Sequence, residues 1–224
     1  MSIKQKVKNN PQLKKMILAF IFRPKPNSAK VRRWLWLLTI FPRYLQRGIS
    51  WGARLDLVPF NRFRFGKKSI MEKNSVINNG MGTVAVGADV HIGYGSIIIG
   101  PVDLRDHVTL SPYVRILGMQ HGLEVDVPHH YQPCYATPVI IDEYTFVEPG
   151  TVIIGKKNGE PLHIGRSVRI GANSVVIRDI PAYSLVEGNP AKVVRIWDVE
   201  QKKWIPTDEN KLVETEEKIK QIIH

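Results

Sequence analysis

From residue 86 to residue 116, a branched aliphatic residue recurs at every sixth position. These anchors are Val86, Ile92, Ile98, Leu104, Leu110 and Ile116. A small or β-branched residue stands four places after each of the first five, at Val90, Ser96, Val102, Val108 and Val114. A period of six matches neither the 3.6-residue period of a helix nor the alternation of a strand. It predicts short strands joined by regular corners and stacked as a β-solenoid.

The same pattern recurs in three other parts of the chain. Its further anchors are Phe65, Met71, Ile77, Ile141, Val147, Ile153, Ile164, Ile170 and Val176. Turn-rich or irregular stretches interrupt it at residues 78–82, 117–140 and 155–163. These recurrences predict a mainly β fold, a parallel β-helix over residues 62–197 with a protruding loop at 117–140.

The two flanking segments have a different pattern. Residues 1–61 predict a basic helical arm, with helices over 11–22 and 28–46 separated by Pro24 and Pro26. Residues 198–224 predict a tail with a helix over 208–223. The apolar runs of the arm are shorter than the roughly 20 residues of a membrane span. Arg23 and Pro24 stand where a signal peptide would have small residues, so we expect neither a signal peptide nor a spanning helix.

The net charge of +12 is concentrated in the arm. Residues 1–68 hold 17 Lys and Arg against one acid, Asp56, while the remainder is mildly acidic. Such an arm can meet anionic lipid, a phosphorylated substrate or nucleic acid, but no recognition motif supports nucleic acid. Trp34 and Trp36 beside Arg32 and Arg33 are typical of interfacial helices. We expect the arm to cap the open end of the solenoid, to contact the membrane surface, or to do both.

The single cysteine, Cys134, excludes an intrachain disulfide and a zinc site built from several cysteines. A chain without disulfides suits a reducing compartment. We therefore expect a cytoplasmic protein, with peripheral contact at the cytoplasmic face of the membrane through the basic arm.

Specific motifs follow the last hexads. They are Ile170-Gly171-Ala172-Asn173-Ser174-Val175-Val176, Ile180-Pro181 and Glu187-Gly188-Asn189-Pro190-Ala191-Lys192. With the hexads, they resemble the hexapeptide-repeat acyltransferases, and among these the O-acetyltransferases of galactosides, maltose and surface polysaccharides. The resemblance implies a left-handed β-helix, a homotrimer with active sites between subunits, and acetyl-CoA as acyl donor without a metal. The left hand comes from the resemblance alone, since general rules favour right-handed crossovers.

The resemblance implies acetylation of a sugar or oligosaccharide hydroxyl in surface polysaccharide or lipopolysaccharide synthesis. His121 stands where the family has its catalytic histidine, at the start of the protruding loop. Imidazole titrates near neutral pH, so it can take the hydroxyl proton during direct transfer. An acyl-enzyme on Cys134 is the rival, disfavoured because the sequence shows no base paired with this thiol.

Other site residues are also expected from the sequence. By match to the family motif, Ala172 and Pro149 hold cofactor-contacting positions, although Pro149 replaces a residue that is often serine. Arg178, Lys192 and Arg195 match basic positions near the phosphates of CoA. Within the loop, Glu124 could orient His121, and His129 and His130 could contact the acceptor.

Three alternatives stay open at this point. N-acetylation of an amino-sugar nucleotide is the nearest, although the arm lacks the Gly-rich strand–turn signature of a sugar-nucleotide domain. A γ-type carbonic anhydrase shares the β-helix but needs three zinc-binding histidines, and the spacing of His91, His107 and His121 does not match that pattern. A non-catalytic β-helix that only binds sugar is the third.

Overall fold

The computed structural model describes residues 9–13, 16, 48–58 and 60–207. The predicted helices of the arm and of the tail therefore lie outside the described residues, apart from helical residues 11–13 and 16. Asn10 begins that first turn, because its Oδ1 accepts a hydrogen bond of 3.0 Å from the Leu13 amide. The other helix boundaries and the role of the arm stay predictions.

The chain winds through about six coils, and its strands form three parallel sheets along the faces of a triangular prism. Sheet one contains β1 (Arg54–Asp56), β4 (Val76–Asn78), β7 (Ile97–Ile99), β10 (Arg115–Leu117), β15 (Val152–Ile154) and β18 (Val175–Val176). Sheet two contains β2 (Phe63–Phe65), β5 (Val84–Val86), β8 (Val102–Leu104), β13 (Val139–Ile141) and β16 (Leu162–Ile164).

Sheet three begins in the same way and ends differently. Its parallel strands are β3 (Ile70–Met71), β6 (His91–Ile92), β9 (Thr109–Leu110), β14 (Phe146–Val147), β17 (Arg169–Ile170) and β19 (Ser184–Gly188). The antiparallel strands β20 (Ala191–Asp198) and β21 (Lys203–Pro206) extend it. A separate antiparallel hairpin pairs β11 (Met119–His121) with β12 (Cys134–Ala136), and a 3-10 turn spans His129–Tyr131.

The anchor residues form the core in register. Ile98 pairs with Ile77 on one side and Ile116 on the other, and Ile116 pairs with Ile153. All of these side chains are fully buried. The period of six is confirmed, since each face of the prism takes one hexad. Phe65 is the exception, being only partly buried on the edge strand of sheet two.

The small positions close the corners between the sheets. Ser69 Oγ donates to the Gly87 carbonyl at 2.7 Å, and Thr145 Oγ1 donates to the Gly165 carbonyl at 2.9 Å. A buried hydroxyl needs such a partner, and here it joins one coil to the next. The coils also approach closely: a Cβ on Gly66 would lie 1.9 Å from the Gly87 carbonyl oxygen. Glycine is therefore required at that corner.

The large interruptions of the pattern leave the prism at one corner. The loop at 118–138 joins β10 to β13, and the excursion at 155–161 joins β15 to β16. Both connect sheet one to sheet two on successive coils. We call this edge the loop corner. The protruding loop predicted at 117–140 is thus placed beside the second excursion.

The β-structure extends further than the boundaries expected from the sequence. β1 begins at Arg54 and pairs with β4, whereas we expected the solenoid to begin at 62. β21 pairs with β20 beyond residue 197, in what we expected to be tail. The hexad pattern could not reveal β21, because this strand is antiparallel and lies outside the coils. In the described ranges, no helix has the length and apolar character needed to cross a membrane.

Candidate active site on the protruding hairpin

The hairpin β11–β12 carries His121 away from the solenoid at the loop corner. The Thr137 amide donates to the Gly118 carbonyl, and the Gly122 amide donates to the Pro133 carbonyl, at 2.8 and 2.9 Å. These bonds mark alternate residue pairs of the ladder as hydrogen-bonded, so the pair His121–Cys134 between them is a non-hydrogen-bonded pair. Side chains of such pairs approach closely on one face of the hairpin.

Cys134 contacts the imidazole directly. Its Sγ lies 3.3 Å from His121 Nδ1 and 4.0 Å from His121 Nε2. The sequence reading that the Cys134 thiol has no paired base was wrong, because the partner stands 13 residues away on the other strand of the hairpin. Only the register of the hairpin reveals the pair, and a loop of this length has no register that can be predicted from residue types.

His129 also packs against the His121 ring. Its ring centroid is 4.2 Å from that of His121, with the planes inclined by 47°. His130, the next residue, packs instead on Tyr131 with centroids 4.1 Å apart. Of the two loop histidines expected near the acceptor, the structure brings only His129 to His121.

Glu124 lies beside the site without bonding to its base. Its carboxylate covers Gly122, and none of the hydrogen bonds among the described residues joins it to His121. The side-chain amide of Gln132 donates to the Glu124 and Val127 carbonyl oxygens at 2.8 and 2.9 Å. These two hydrogen bonds close the tip of the loop.

The opposite face of the hairpin is attached to the solenoid. Gln120, adjacent to His121, donates its side-chain amide to the Gly155 carbonyl on the excursion of the next coil. Because successive residues of a strand point to opposite faces, this bond directs His121 and Cys134 away from that excursion. The result is a half-buried imidazole on an anchored hairpin.

A second group of expected residues lies along another edge, the corner between sheet three and sheet one, which we call the ridge. Pro149 and Ala172 occupy it on successive coils, and the Asn173 amide donates to the Pro149 carbonyl at 2.9 Å. Lys192 lies opposite Glu187 in the antiparallel β19–β20 ladder, and the Glu187 side chain covers Gly171 beside Ala172. The structure therefore gathers Pro149, Ala172 and Lys192.

The two remaining basic residues are more dispersed. Arg195 lies further along β20, opposite Leu185, and Arg178 follows β18 towards the loop corner. Arg178, Lys192 and Arg195 are exposed, and none takes part in an ion pair within the described part of the chain. Unpaired exposed cations fit a polyphosphate ligand.

One ridge contact bears on the expected cofactor. The Ala172 amide is already engaged, since it donates to Glu148 Oε2 at 3.2 Å, and Glu148 also holds Arg169 at 2.8 Å. A ligand on the ridge could take the Ala172 N–H only by displacing Glu148.

The hairpin and the ridge belong to different edges of the prism. One face of about six extended residues separates successive corners, which corresponds to roughly 20 Å. Within one chain, His121 and Ala172 therefore do not line a common cleft. In the part of the chain that the structure describes, no group of three His, Cys, Asp or Glu side chains is placed to hold a metal ion.

Comparisons with known proteins agree with the fold. No protein-family model matches the chain. A Saccharomyces cerevisiae protein named as a candidate acetyltransferase, YJL218W, is 34% identical over 115 residues, which is 50% of this chain and 55% of that protein. Tetrahydropyridine-2,6-dicarboxylate N-acetyltransferase from Staphylococcus aureus is 25% identical over 109 residues, 49% of this chain and 31% of the enzyme. The chain thus spans about half or less of the length of these relatives.

A solved structure shares the architecture. AntD, an N-acyltransferase from Bacillus cereus crystallised with dTDP and coenzyme A, superposes with a TM-score of 0.54 at 18% identity. The match covers 77% of this chain and 87% of AntD. The fold is accordingly the left-handed parallel β-helix of hexapeptide-repeat proteins, and the expected fold class is confirmed.

Proposed function

We propose that the protein is an acetyl-CoA-dependent acetyltransferase in which His121 is the general base. The observation that carries this proposal is the placement of His121: a half-buried imidazole on an anchored hairpin, in contact with a thiol and with a second imidazole. The acetyltransferase names of two sequence relatives support the reaction class. The exposed cations Arg178, Lys192 and Arg195, none of them in an ion pair among the described residues, support a polyphosphate donor.

The chemistry follows from the properties of the acceptor. A sugar hydroxyl stays protonated at neutral pH, so it attacks a carbonyl efficiently only while a base removes its proton. His121 would accept that proton at one ring nitrogen and return it to the departing group. Acetyl-CoA would supply the acetyl group as a thioester, with Arg178, Lys192 and Arg195 near its phosphates and with Pro149 and Ala172 along its arm.

Our first candidate acceptor is a sugar hydroxyl in surface polysaccharide or lipopolysaccharide synthesis, as the sequence motifs suggest. The second is the amine of an amino-sugar nucleotide. The N-acyl activities named for AntD and for the S. aureus relative favour nitrogen as the acceptor atom. The two differ in their need for a base, because an amine loses its proton only after the attack. Release of free CoA, measured over matched hydroxyl and amino sugars, separates these acceptors.

We also propose that the active site forms between subunits of a homotrimer. Support comes from the separation of the hairpin and the ridge on different edges of one chain. A second copy could bring its ridge to the hairpin of the first. Sedimentation of the purified protein tests the assembly, and a monomer with full activity would contradict it.

The basic arm supports a further proposal, that the protein lies in the cytoplasm and contacts the inner membrane surface. Residues 1–61 hold 13 Lys and Arg against one acid, and the resulting charge of +12 would attract anionic lipid. Trp51, which lies in the described range 48–58, is 74% exposed. Flotation with anionic vesicles at low salt tests it, with neutral vesicles as the control; equal binding to both would contradict an electrostatic contact.

A further inference from the structure

We infer that Cys134 is a positioning residue, which accepts a hydrogen bond from His121 Nδ1–H and so leaves His121 Nε2 as the proton-accepting nitrogen. This inference rests on the proposed function, because it specifies how the proposed base is prepared. It departs from the expectation that the carboxylate of Glu124 orients this histidine.

Cys134 lies against one particular nitrogen of the His121 ring. The Cys134 sulfur lies nearer to Nδ1 than to Nε2, at 3.3 against 4.0 Å. The contact follows from the ladder, because the two residues face each other as a non-hydrogen-bonded pair. Gly118–Thr137 on one side and Gly122–Pro133 on the other fix that register. The backbone register therefore places the Cys134 side chain opposite the His121 ring.

The direction of the hydrogen bond between His121 and Cys134 follows from the protons that each side chain carries. A neutral imidazole has one N–H and one lone pair, and the partner of one nitrogen decides the role of the other. If the thiol donated its proton to Nδ1, Nε2 would carry hydrogen and could not act as a base. That arrangement would also break during catalysis, because imidazolium has no free lone pair. A bond from Nδ1–H to sulfur persists in both the neutral and the protonated ring.

The neighbours of the His121 ring leave its Nδ1 to the sulfur of Cys134. His129 packs at 4.2 Å and limits the rotation of the His121 ring. The carboxylate of Glu124 makes no hydrogen bond to His121 among the described residues, so it does not compete for Nδ1. Sulfur is the polar atom that the structure places at this nitrogen.

This role predicts a result that a packing role does not. A serine hydroxyl at position 134 can accept the Nδ1–H bond, whereas an alanine side chain cannot. Cys134→Ser should therefore keep the wild-type tautomer of His121, and Cys134→Ala should lose it.

The kinetic test compares three variants in the full-length protein. Cys134→Ala should lower kcat about tenfold, one of the two to four decades that a general base supplies, with KM little changed. Cys134→Ser should restore most of the rate. Tyr135→Phe, on the opposite face of the same strand, is the matched control. An unchanged rate in Cys134→Ala would overturn the inference.

A measurement without substrate separates this inference from the proposed function. Long-range 1H–15N spectra of histidine-labelled protein report the tautomer of each ring, and His121→Gln identifies the His121 signals by their loss. We expect the Nδ1–H tautomer in the wild-type protein and a shift towards Nε2–H in Cys134→Ala. A wild-type Nε2–H tautomer would overturn the inference even in an active enzyme. Acetylated Cys134 after incubation with acetyl-CoA would overturn it too, in favour of an acyl-enzyme.

Discussion

Gln120 joins the hairpin to the coil above it through a hydrogen bond from its side-chain amide to the carbonyl of Gly155. These residues lie 35 positions apart, on the two excursions that leave the prism at the loop corner. The bond attaches the hairpin that carries His121 to the solenoid, so it restrains the orientation of the proposed general base. A displacement of about 1 Å at a catalytic group can cost two decades in rate.

Gln120→Ala should therefore lower kcat several-fold with little change in melting temperature, because the solenoid core does not depend on the bond. Hydrogen exchange of the β11–β12 amides should accelerate. Asn158→Ala, in the same excursion but without contact to the hairpin, is the matched control. Unchanged exchange in Gln120→Ala would show that other contacts hold the hairpin.

Glu148→Gln should strengthen CoA binding by about threefold, because it removes a negative charge from the ridge that we propose for an anionic ligand. The amide oxygen can still accept from the Ala172 N–H, so the corner keeps its contact. Isothermal titration with CoA measures the effect.

The chain provides a matched control for this change. Glu72 makes the same kind of contact lower on the ridge, where its Oε2 accepts from the Tyr94 amide at 2.8 Å. Glu72→Gln should leave the affinity for CoA unaltered if the ligand lies at Ala172. An equal gain from both variants would indicate a general charge effect and would contradict the location.

Asp179 links the excursion of the fifth coil to the last turn of the solenoid. Burial raises its pKa, but the His163 amide at 2.8 Å and the Lys156 ammonium at 2.7 Å outweigh this, so its pKa lies below the usual value of 3.8. The folded state thus prefers the carboxylate. The resulting stability is fully present above the unfolded pKa, near 4, and is lost as the pH falls through the lower folded pKa.

Asp179→Asn should accordingly lower the melting temperature slightly at pH 7 and not at pH 2.5. The pair is partly exposed, with the Asp179 side chain 54% accessible, so the effect should be at most about 1 kcal/mol. Lys156→Met should reproduce part of the pH dependence, because it removes one of the two stabilising partners. A deficit that persists at pH 2.5 would assign the loss to packing.

Ile98 and Ile97 test the register of the solenoid. Ile98 is fully buried between Ile77 and Ile116, whereas its neighbour Ile97 faces outward and is only partly covered. Ile98→Ala should cost about 2–5 kcal/mol of unfolding free energy, as deletions in packed cores do. Ile97→Ala should cost much less. Chemical denaturation measures both, and equal losses would contradict the inward assignment of the hexad anchors.

The sequence predicted the solenoid well because each anchor experiences the same surroundings. A buried position that recurs every six residues leaves a signal in residue type alone, as the run from Ile92 to Ile116 shows. The small positions were equally readable, since a corner admits only small or β-branched side chains. The antiparallel β20–β21 extension has no such period, and β21 was missed.

The site was less predictable than the fold. His121 was proposed from its place after the hexad run, and Pro149, Ala172 and Lys192 from the motifs; their roles stay predictions. The contact of Cys134 with His121 depends on the register of one hairpin, and the occupation of the Ala172 amide depends on the reach of Glu148 from the preceding coil. Neither relation leaves a periodic or local pattern, so both required coordinates.

The central claim is that His121 is the base of an acetyl transfer, and the direct measurement is CoA release with a series of sugar acceptors. His121→Ala should lose about a hundred- to ten-thousand-fold in kcat on a hydroxyl acceptor, as expected for removal of a general base. His163→Ala, an exposed histidine on sheet two, should retain the wild-type rate. A His121→Ala protein that releases CoA at the wild-type rate would contradict the account.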